Sequence, residues 1–316
     1  MHIKNQRIFR NRKKQNNKKR TIFILLGIVL LLFVGWRLFL LTPFLSNDYQ
    51  YFENANEQLD KKISAQDILS QKNYYQKMLN NLQKKYKDEP NNAFVNLLLG
   101  KAYFLKNTLE KDENLKKILL EKSILYLRRG LALLNKDKYP SFHLVLGKAY
   151  FEKGIDYYFE SLKELQKSKK MGLYNYDVEK RMAYIYLKKE EYKTSIKLYK
   201  KLLKRRENAE NYFYLGLNYY LIQKPIPSEE YLNYAVDYYK NFPDFNKTFL
   251  VYSYFYLGKI YFDKGTYDIA ETYLKKSLQI YSKNLDTLNL LYELYKKIGN
   301  SSSARSIKQK IKNLEK

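Results

Sequence analysis

The sequence predicts an all-α chain: a helical-repeat solenoid of paired helices preceded by one N-terminal transmembrane helix. Two observations predict it. A long apolar run directly follows an acid-free basic segment at the N-terminus, and a short pattern of Leu, small and aromatic residues at helical spacing recurs through the rest of the chain.

The first element is a basic tail, residues 1–20. It carries nine cations (Lys4, Arg7, Arg10, Arg12, Lys13, Lys14, Lys18, Lys19 and Arg20) and no acid. The second, residues 21–42, is the expected membrane anchor. Ile22 to Trp36 is fifteen residues without a charge, and beyond Arg37 the apolar run continues from Leu38 to Leu41. Twenty helical residues at about 1.5 Å each reach roughly 30 Å, the thickness of a hydrocarbon core. Arg37 lies near one end, where it can snorkel to the headgroups, and Trp36 suits the interfacial belt. A cleavable signal peptide has a similar layout, but Leu41-Thr42-Pro43-Phe44-Leu45-Ser46 offers no small-x-small cleavage site. An uncleaved signal anchor is therefore expected. The positive-inside rule keeps residues 1–20 in the cytoplasm and exports residues 43–316. Anionic lipid would also hold the tail, which reads as a topology signal rather than a nucleic-acid site.

Residues 43–90 are expected to form a helical stalk and a half-repeat. The stretch Tyr74–Lys87 makes the half-repeat helix, and Pro90 ends it. Residues 91–316 carry the repeat. Its clearest copy reads Leu257-Gly258-Lys259-Ile260-Tyr261, then Gly265, Tyr267, Ala270, Leu274 and Ser277. Thirty-four residues later Leu291, Tyr292, Tyr295, Gly299, Ala304 and Ile311 fall at matching offsets. Upstream copies start at Leu99-Gly100, Leu146-Gly147, Met182-Ala183 and Leu215-Gly216, the last two leading to Ser195 with Tyr199 and to Ser228 with Leu232. The Leu-Gly positions 100, 147, 183, 216, 258 and 292 are 47, 36, 33, 42 and 34 residues apart, and the sixth has Tyr292 where the small residue belongs. The first interval implies an insertion or lengthened helices around Asn107–Leu115. The fourth reflects extra chain near Lys240–Phe249, where Pro243 breaks a helix.

This pattern resembles the tetratricopeptide repeat, a helix–turn–helix unit. The resemblance covers about residues 91–316, with four good copies and two degenerate ones. It implies a right-handed solenoid. The small residue of helix A then meets the small residue of helix B (Ser195, Ser228, Ala270, Ala304), where only small side chains let the backbones approach. Gly154, Gly265 and Gly299 fit the inter-helix turns.

The inventory leans away from an enzyme. With no Cys, the chain has no disulfide, no thiolate metal site and no thiol nucleophile. His2 and His143 are the only two histidines and cannot build a multi-histidine metal site. No phosphate loop, metal motif or nucleophile elbow appears, and no cofactor is expected. His143 reads as a packed or exposed residue rather than a ligand. Glu190-Glu191 and Glu229-Glu230 read as solvated helix starts, and Lys163–Lys170 and Lys200–Arg206 as solvated faces.

Family alignment implies that the residue after each Leu-Gly pair, and the one three later, point into the concave face. Those are Lys101 with Phe104, Lys148 with Phe151, Tyr184 with Leu187, Leu217 with Tyr220, and Lys259 with Phe262. The expected partner-binding set is thus Lys101, Phe104, Lys148, Phe151, Tyr184, Tyr220, Lys259 and Phe262. A lysine–aromatic ladder suits a protein segment with acidic and apolar side chains. The alternative is that the rings pack within the superhelix and the lysines are solvated. The family's carboxylate clamp needs an Asn where this chain has Leu98, Val145, Arg181, Tyr214 and Tyr256, so that clamp is expected to be absent.

The functional expectation is a non-catalytic scaffold for protein–protein interaction, anchored by residues 21–42. It would sit in a bacterial cytoplasmic membrane with its C-terminal domain in the periplasm. Self-association is compatible with the irregular array. Layout and Lys-, Asn-, Ile- and Tyr-rich composition resemble those of anchored tetratricopeptide proteins of spirochaetes, which implies a place in the periplasmic collar of the flagellar motor. The alternative is an envelope-assembly or secretion-associated chaperone adaptor. Nucleic acid is not an expected partner: of the formal charge of +27, part is the topology signal, and lysine outnumbers the arginine that base recognition favours.

Overall fold

A computed structural model describes residues 68–134, 138–243 and 247–315, and every regular element among them is helical. The basic tail, the anchor and residues 43–67 lie outside the described residues. No described helix is long and apolar enough to cross a membrane. The chain divides into two compact units, the first ending at Asn135 and the second beginning at Lys136.

Within the first unit the described helices are α1 (Ile68–Asp88), α2 (Ala93–Leu109) and α3 (Glu113–Leu133). The Asn92 side chain caps α2 by accepting from the Phe94 and Val95 N–H groups, and Asp112 does the same for α3. The long repeat interval is lengthened helix: α2 and α3 have 17 and 21 residues and meet at a short turn. Gly100 explains their closeness. A Cβ there would lie 2.5 Å from Leu127 Cγ and 2.7 Å from the Leu127 backbone nitrogen. Gly130 answers it from α3, where a Cβ would come within 2.7 Å of Leu97 Cγ. α1 lies against this hairpin through Lys72–Glu110 (3.2 Å) and the Gln83 amide, which donates to the Tyr103 hydroxyl (2.6 Å).

The second unit is built from five pairs: α4 (Pro140–Lys153) with α5 (Tyr158–Lys170), α6 (Tyr176–Lys188) with α7 (Tyr192–Arg205), α8 (Ala209–Leu221) with α9 (Pro225–Asn241), α10 (Thr248–Asp263) with α11 (Tyr267–Ile280), and α12 (Leu285–Lys297) with α13 (Ser301–Leu314). A 3-10 turn, Ile155–Tyr157, bridges the first pair. Asn175, Asn208 and Asn284 cap α6, α8 and α12 through their side-chain oxygens. The expected break near Pro243 is present, between the end of α9 at Asn241 and the start of α10 at Thr248.

The close approach within each pair follows the small-residue register. A Cβ on Gly147, Gly216 or Gly258 would fall 2.8 Å from Leu165, Leu232 or Leu274. Serines on the second helix add a polar tie. Ser161, Ser195 and Ser228 donate to the carbonyls of Gly147, Ala183 and Gly216 at 2.8, 2.9 and 2.9 Å. In the α10/α11 pair Ala270 takes that place, and Ser277 donates to the Val251 carbonyl instead (3.0 Å). Counting from the small-residue position of each first helix in the second unit, which Tyr292 fills in the last pair, the chain turns with positive φ seven residues later. Gly154, Gly265 and Gly299 occupy this position, but so do Glu190 (φ 61) and Gln223 (φ 56), which hold the left-handed conformation without glycine's freedom.

Two sequence readings of charge are corrected. Glu229 is not a solvated helix start: it is half-buried inside α9, takes the Lys264 ammonium at 2.7 Å and accepts from the Tyr261 hydroxyl. The Lys200–Arg206 stretch is not wholly solvated. Lys201 and Arg205 reach back to Glu179 of α6 at 2.8 and 2.9 Å, and Glu179 is fully buried. Burial works against that carboxylate, but the Lys201 and Tyr174 hydrogen bonds and the Arg205 guanidinium outweigh it and hold it below the usual carboxylate range. His143 is packed rather than exposed, with its Nδ1 against the Glu164 carboxylate inside the α4/α5 pair.

Candidate protein-binding face

The first helices of the pairs, α4, α6, α8 and α10, carry a continuous row of rings. Phe151 contacts Tyr184 (5.7 Å between ring centres), and Tyr184 contacts Tyr214 (5.4 Å). Tyr214 meets Phe213 and Phe249 at 5.2 and 5.6 Å. Phe213 continues to Tyr256 (6.1 Å), and Tyr256 to Tyr220 (5.4 Å). Most of these contacts are edge-to-face or tilted, the geometry that the ring quadrupole favours.

Near one end of the row the wall opens into a cavity of about 290 Å³. Phe151, Tyr158, Tyr184, Tyr199 and Tyr214 form its aromatic lining, and Lys180, Arg181 and Glu210 its polar lining. The cations are held in place. The Lys180 ammonium donates to Glu210 Oε2 at 3.0 Å, joining α6 to α8. Arg181 lies over the Phe151 ring (4.7 Å), donates through Nη1 to Glu152 (2.9 Å), and holds Nε 3.4 Å from Asp177. Asp177 also takes Lys148 at 2.6 Å. Burial opposes the Asp177 charge, but Lys148 and Arg181 outweigh it and keep that carboxyl below its ordinary range. The phenols are shifted the other way. Burial, helped by Tyr184 and Glu152, pushes Tyr158 up to about 12. Burial raises Tyr214 and Tyr199 as well, with the nearby tyrosines and Glu210 adding to it.

The expected partner-binding residues divide. Lys101 and Phe104 are buried, at 3% and 6% exposure, and present no surface to a partner. The physical reason is that α2 is buried on every side from Val95 to Phe104, so it has no free face for the pattern to point into. Lys148, Phe151, Tyr184, Tyr220, Lys259 and Phe262 are all half-buried on first helices of the second unit. Phe151 and Tyr184 meet at the cavity. Lys259 lies over the Tyr220 ring (5.5 Å), whose hydroxyl donates to Asp263 (3.0 Å). Lys148 is engaged by Asp177, and Phe262 packs with Tyr267 and Lys297. Leu187 is buried and Leu217 half-buried.

Residue spacing missed Tyr158, Lys180, Tyr199 and Glu210. Tyr158 and Tyr199 belong to the second helices, which the face pattern ignores. Arg181 and Tyr214 stand where the family's clamp places Asn, and here they line the cavity instead. A usable signal was present: Tyr199 occupies the position of Leu232 and Leu274, sixteen residues after the small residue. Among the described residues no group of three or more His, Asp or Glu is placed to hold a metal.

This architecture has clear structural counterparts. A tetratricopeptide repeat protein from Parabacteroides merdae aligns over 68% of this chain and 79% of its own, with 15% identity and a TM-score of 0.52. The C-terminal part of a tetratricopeptide repeat-containing protein from Cytophaga hutchinsonii covers 83% and 95%, with 13% identity and a TM-score of 0.53. A chain of the APC/C Cut9–Hcn1 hetero-tetramer covers 77% of this chain and 43% of its own, with 10% identity and a TM-score of 0.52. No family model and no curated protein matches the sequence. The fold is thus that of tetratricopeptide-type helical-repeat proteins.

Proposed function

We propose that this chain is a non-catalytic scaffold that binds other proteins through the first-helix face of its second unit. One observation carries the reading: a continuous aromatic row with fixed cations opens into a cavity the size of a side chain. Rings supply area at low entropic cost and the cations supply orientation, which is how protein-binding hot spots are built. The anchor expected at residues 21–42 and the basic tail support a position for this face on the outer side of a bacterial cytoplasmic membrane. Within that compartment the composition supports a role in the periplasmic collar of the flagellar motor.

Three experiments test it. Photo-crosslinking residues placed at Tyr220 and Lys259 of the full chain in cells should trap a protein partner, and absence of any crosslink at either position would remove the binding face. Alkaline phosphatase fused after Lys316 should be active, and an inactive fusion would overturn the exported topology. Deletion should impair motility and alter motor architecture. Normal motility with an unchanged motor removes the collar role and leaves the envelope-adaptor alternative.

A further inference from the structure

The cavity in the α4–α8 wall has one feature that a plain apolar groove lacks. Tyr199 forms part of its lining with no exposed surface, its ring is stacked on Tyr214 at 5.4 Å, and its hydroxyl has no hydrogen-bond partner in the protein. Buried hydroxyls are normally paired, because an unpaired one forfeits its hydration without return. The groups acting electrostatically on this phenol include Tyr214, Glu210 and Tyr184, all members of the same cavity.

We infer that this cavity is a subsite for one tyrosine side chain, presented by an acidic segment of a partner protein, with Tyr199 reading its hydroxyl. The inference rests on the scaffold reading above and sharpens it. About 290 Å³ suits a single large side chain rather than a drug-sized molecule. The Phe151, Tyr158, Tyr184 and Tyr214 rings offer faces and edges to a guest ring, as they already do to one another. A guest hydroxyl at the depth of Tyr199 gives that phenol its missing partner, whereas phenylalanine leaves it unpaired. The charge balance selects the flanking residues. Residues 136–316 carry 34 Lys+Arg against 21 Asp+Glu. Arg181 gives Nη1 to Glu152 and Nε to Asp177, which leaves Nη2 for a partner carboxylate. An ammonium guest, which an aromatic cage would otherwise suit, finds the wall carboxylates Glu210, Glu152 and Asp177 already taken by Lys180, Arg181 and Lys148.

The test uses the full chain in mild detergent and fluorescent peptides of sequence Asp-Glu-X-Glu-Asp, with X as Tyr, Phe, Lys or Ala, read by anisotropy. The tyrosine peptide should bind about tenfold more tightly than the phenylalanine peptide, the worth of one hydrogen bond. Tyr199→Phe should bring that ratio close to one while leaving the affinity of the phenylalanine peptide unchanged. Phe151→Ala, at a half-buried position, should weaken both peptides alike and guards against a folding artefact. Equal affinity for tyrosine and phenylalanine, a ratio that survives Tyr199→Phe, or preference for lysine overturns the inference. If no peptide binds while crosslinks still form at Tyr220 and Lys259, the tyrosine subsite falls and the scaffold reading stands. If both fail, both fall.

Discussion

The Ser228 hydroxyl donates to the Gly216 carbonyl across 2.9 Å, at the point where α9 presses closest to α8. The same bond joins Ser195 to Ala183 and Ser161 to Gly147, so three successive pairs are closed by a small residue on one helix and a serine on the other. The serine does two things there. It is small enough to permit the approach, and it spends its hydroxyl on a helix carbonyl that still has a free lone pair.

Filling this contact should cost more than removing its hydrogen bond. In Gly216→Ala the new Cβ would lie 2.8 Å from Leu232 Cγ and 3.1 Å from the Leu232 backbone nitrogen, so α9 must move. We expect a loss of about 2 kcal/mol from overpacking. Ser228→Ala keeps the spacing and should lose about 1 kcal/mol. Denaturant unfolding of both variants checks the order, and a Ser228→Ala loss larger than that of Gly216→Ala would contradict it.

The turns that lack glycine should improve with it. Glu190 (φ 61) and Gln223 (φ 56) hold the conformation that Gly265 (φ 77) adopts freely at the same register position. Glu190→Gly and Gln223→Gly should each gain about 0.5–1 kcal/mol, while Gly265→Ala should lose about 1 kcal/mol. Melting temperatures of the three variants should move in opposite directions accordingly.

Acid sensitivity should trace in part to Glu179. Its carboxyl titrates below the usual range in the folded chain, so its contribution is complete above the ordinary carboxylate pKa and disappears as the pH falls through the lowered folded value. Glu179→Gln should therefore flatten the fall in stability below about pH 4.5, the ordinary value. At neutral pH it should cost about 1–2 kcal/mol in hydrogen bonds to Lys201 and Arg205. Unfolding curves across the acid range test both parts.

At high pH the phenols take over. Tyr158 is pushed up to about 12, chiefly by burial, so the unfolded chain releases its proton first. Its contribution is complete below the ordinary value of 10.0 and lost as the pH rises through the folded one. Tyr212 behaves alike. Tyrosinate absorbance should rise in two steps, exposed phenols first and the buried set together with loss of helix. A single smooth titration with helix intact throughout would contradict this.

Much of the architecture is legible in residue order. Gly100, Gly147, Gly216 and Gly258 announce the close approaches, because only a residue without a Cβ meets a leucine there. Gly154, Gly265 and Gly299 mark turns for the same kind of reason. The face was harder to read. The register that places Phe151 and Tyr184 on a surface also pointed to Lys101 and Phe104, which are buried because α2 is enclosed all round. Periodicity gives the side of a helix that a residue occupies, but not whether that side is covered.

What the sequence by itself determined is local: the helical register, the pairing of helices through small residues, and the turns, all set by steric rules acting within about one repeat. The tertiary structure decided which groups meet across repeats. Lys180 finds Glu210 thirty residues away, Arg205 finds Glu179, and Tyr199 comes to lie under Tyr214 with its hydroxyl unpaired. Those distances depend on how neighbouring pairs stack, which the local helical period does not encode. The cavity, its cations and the unpaired Tyr199 hydroxyl belong to that stacking.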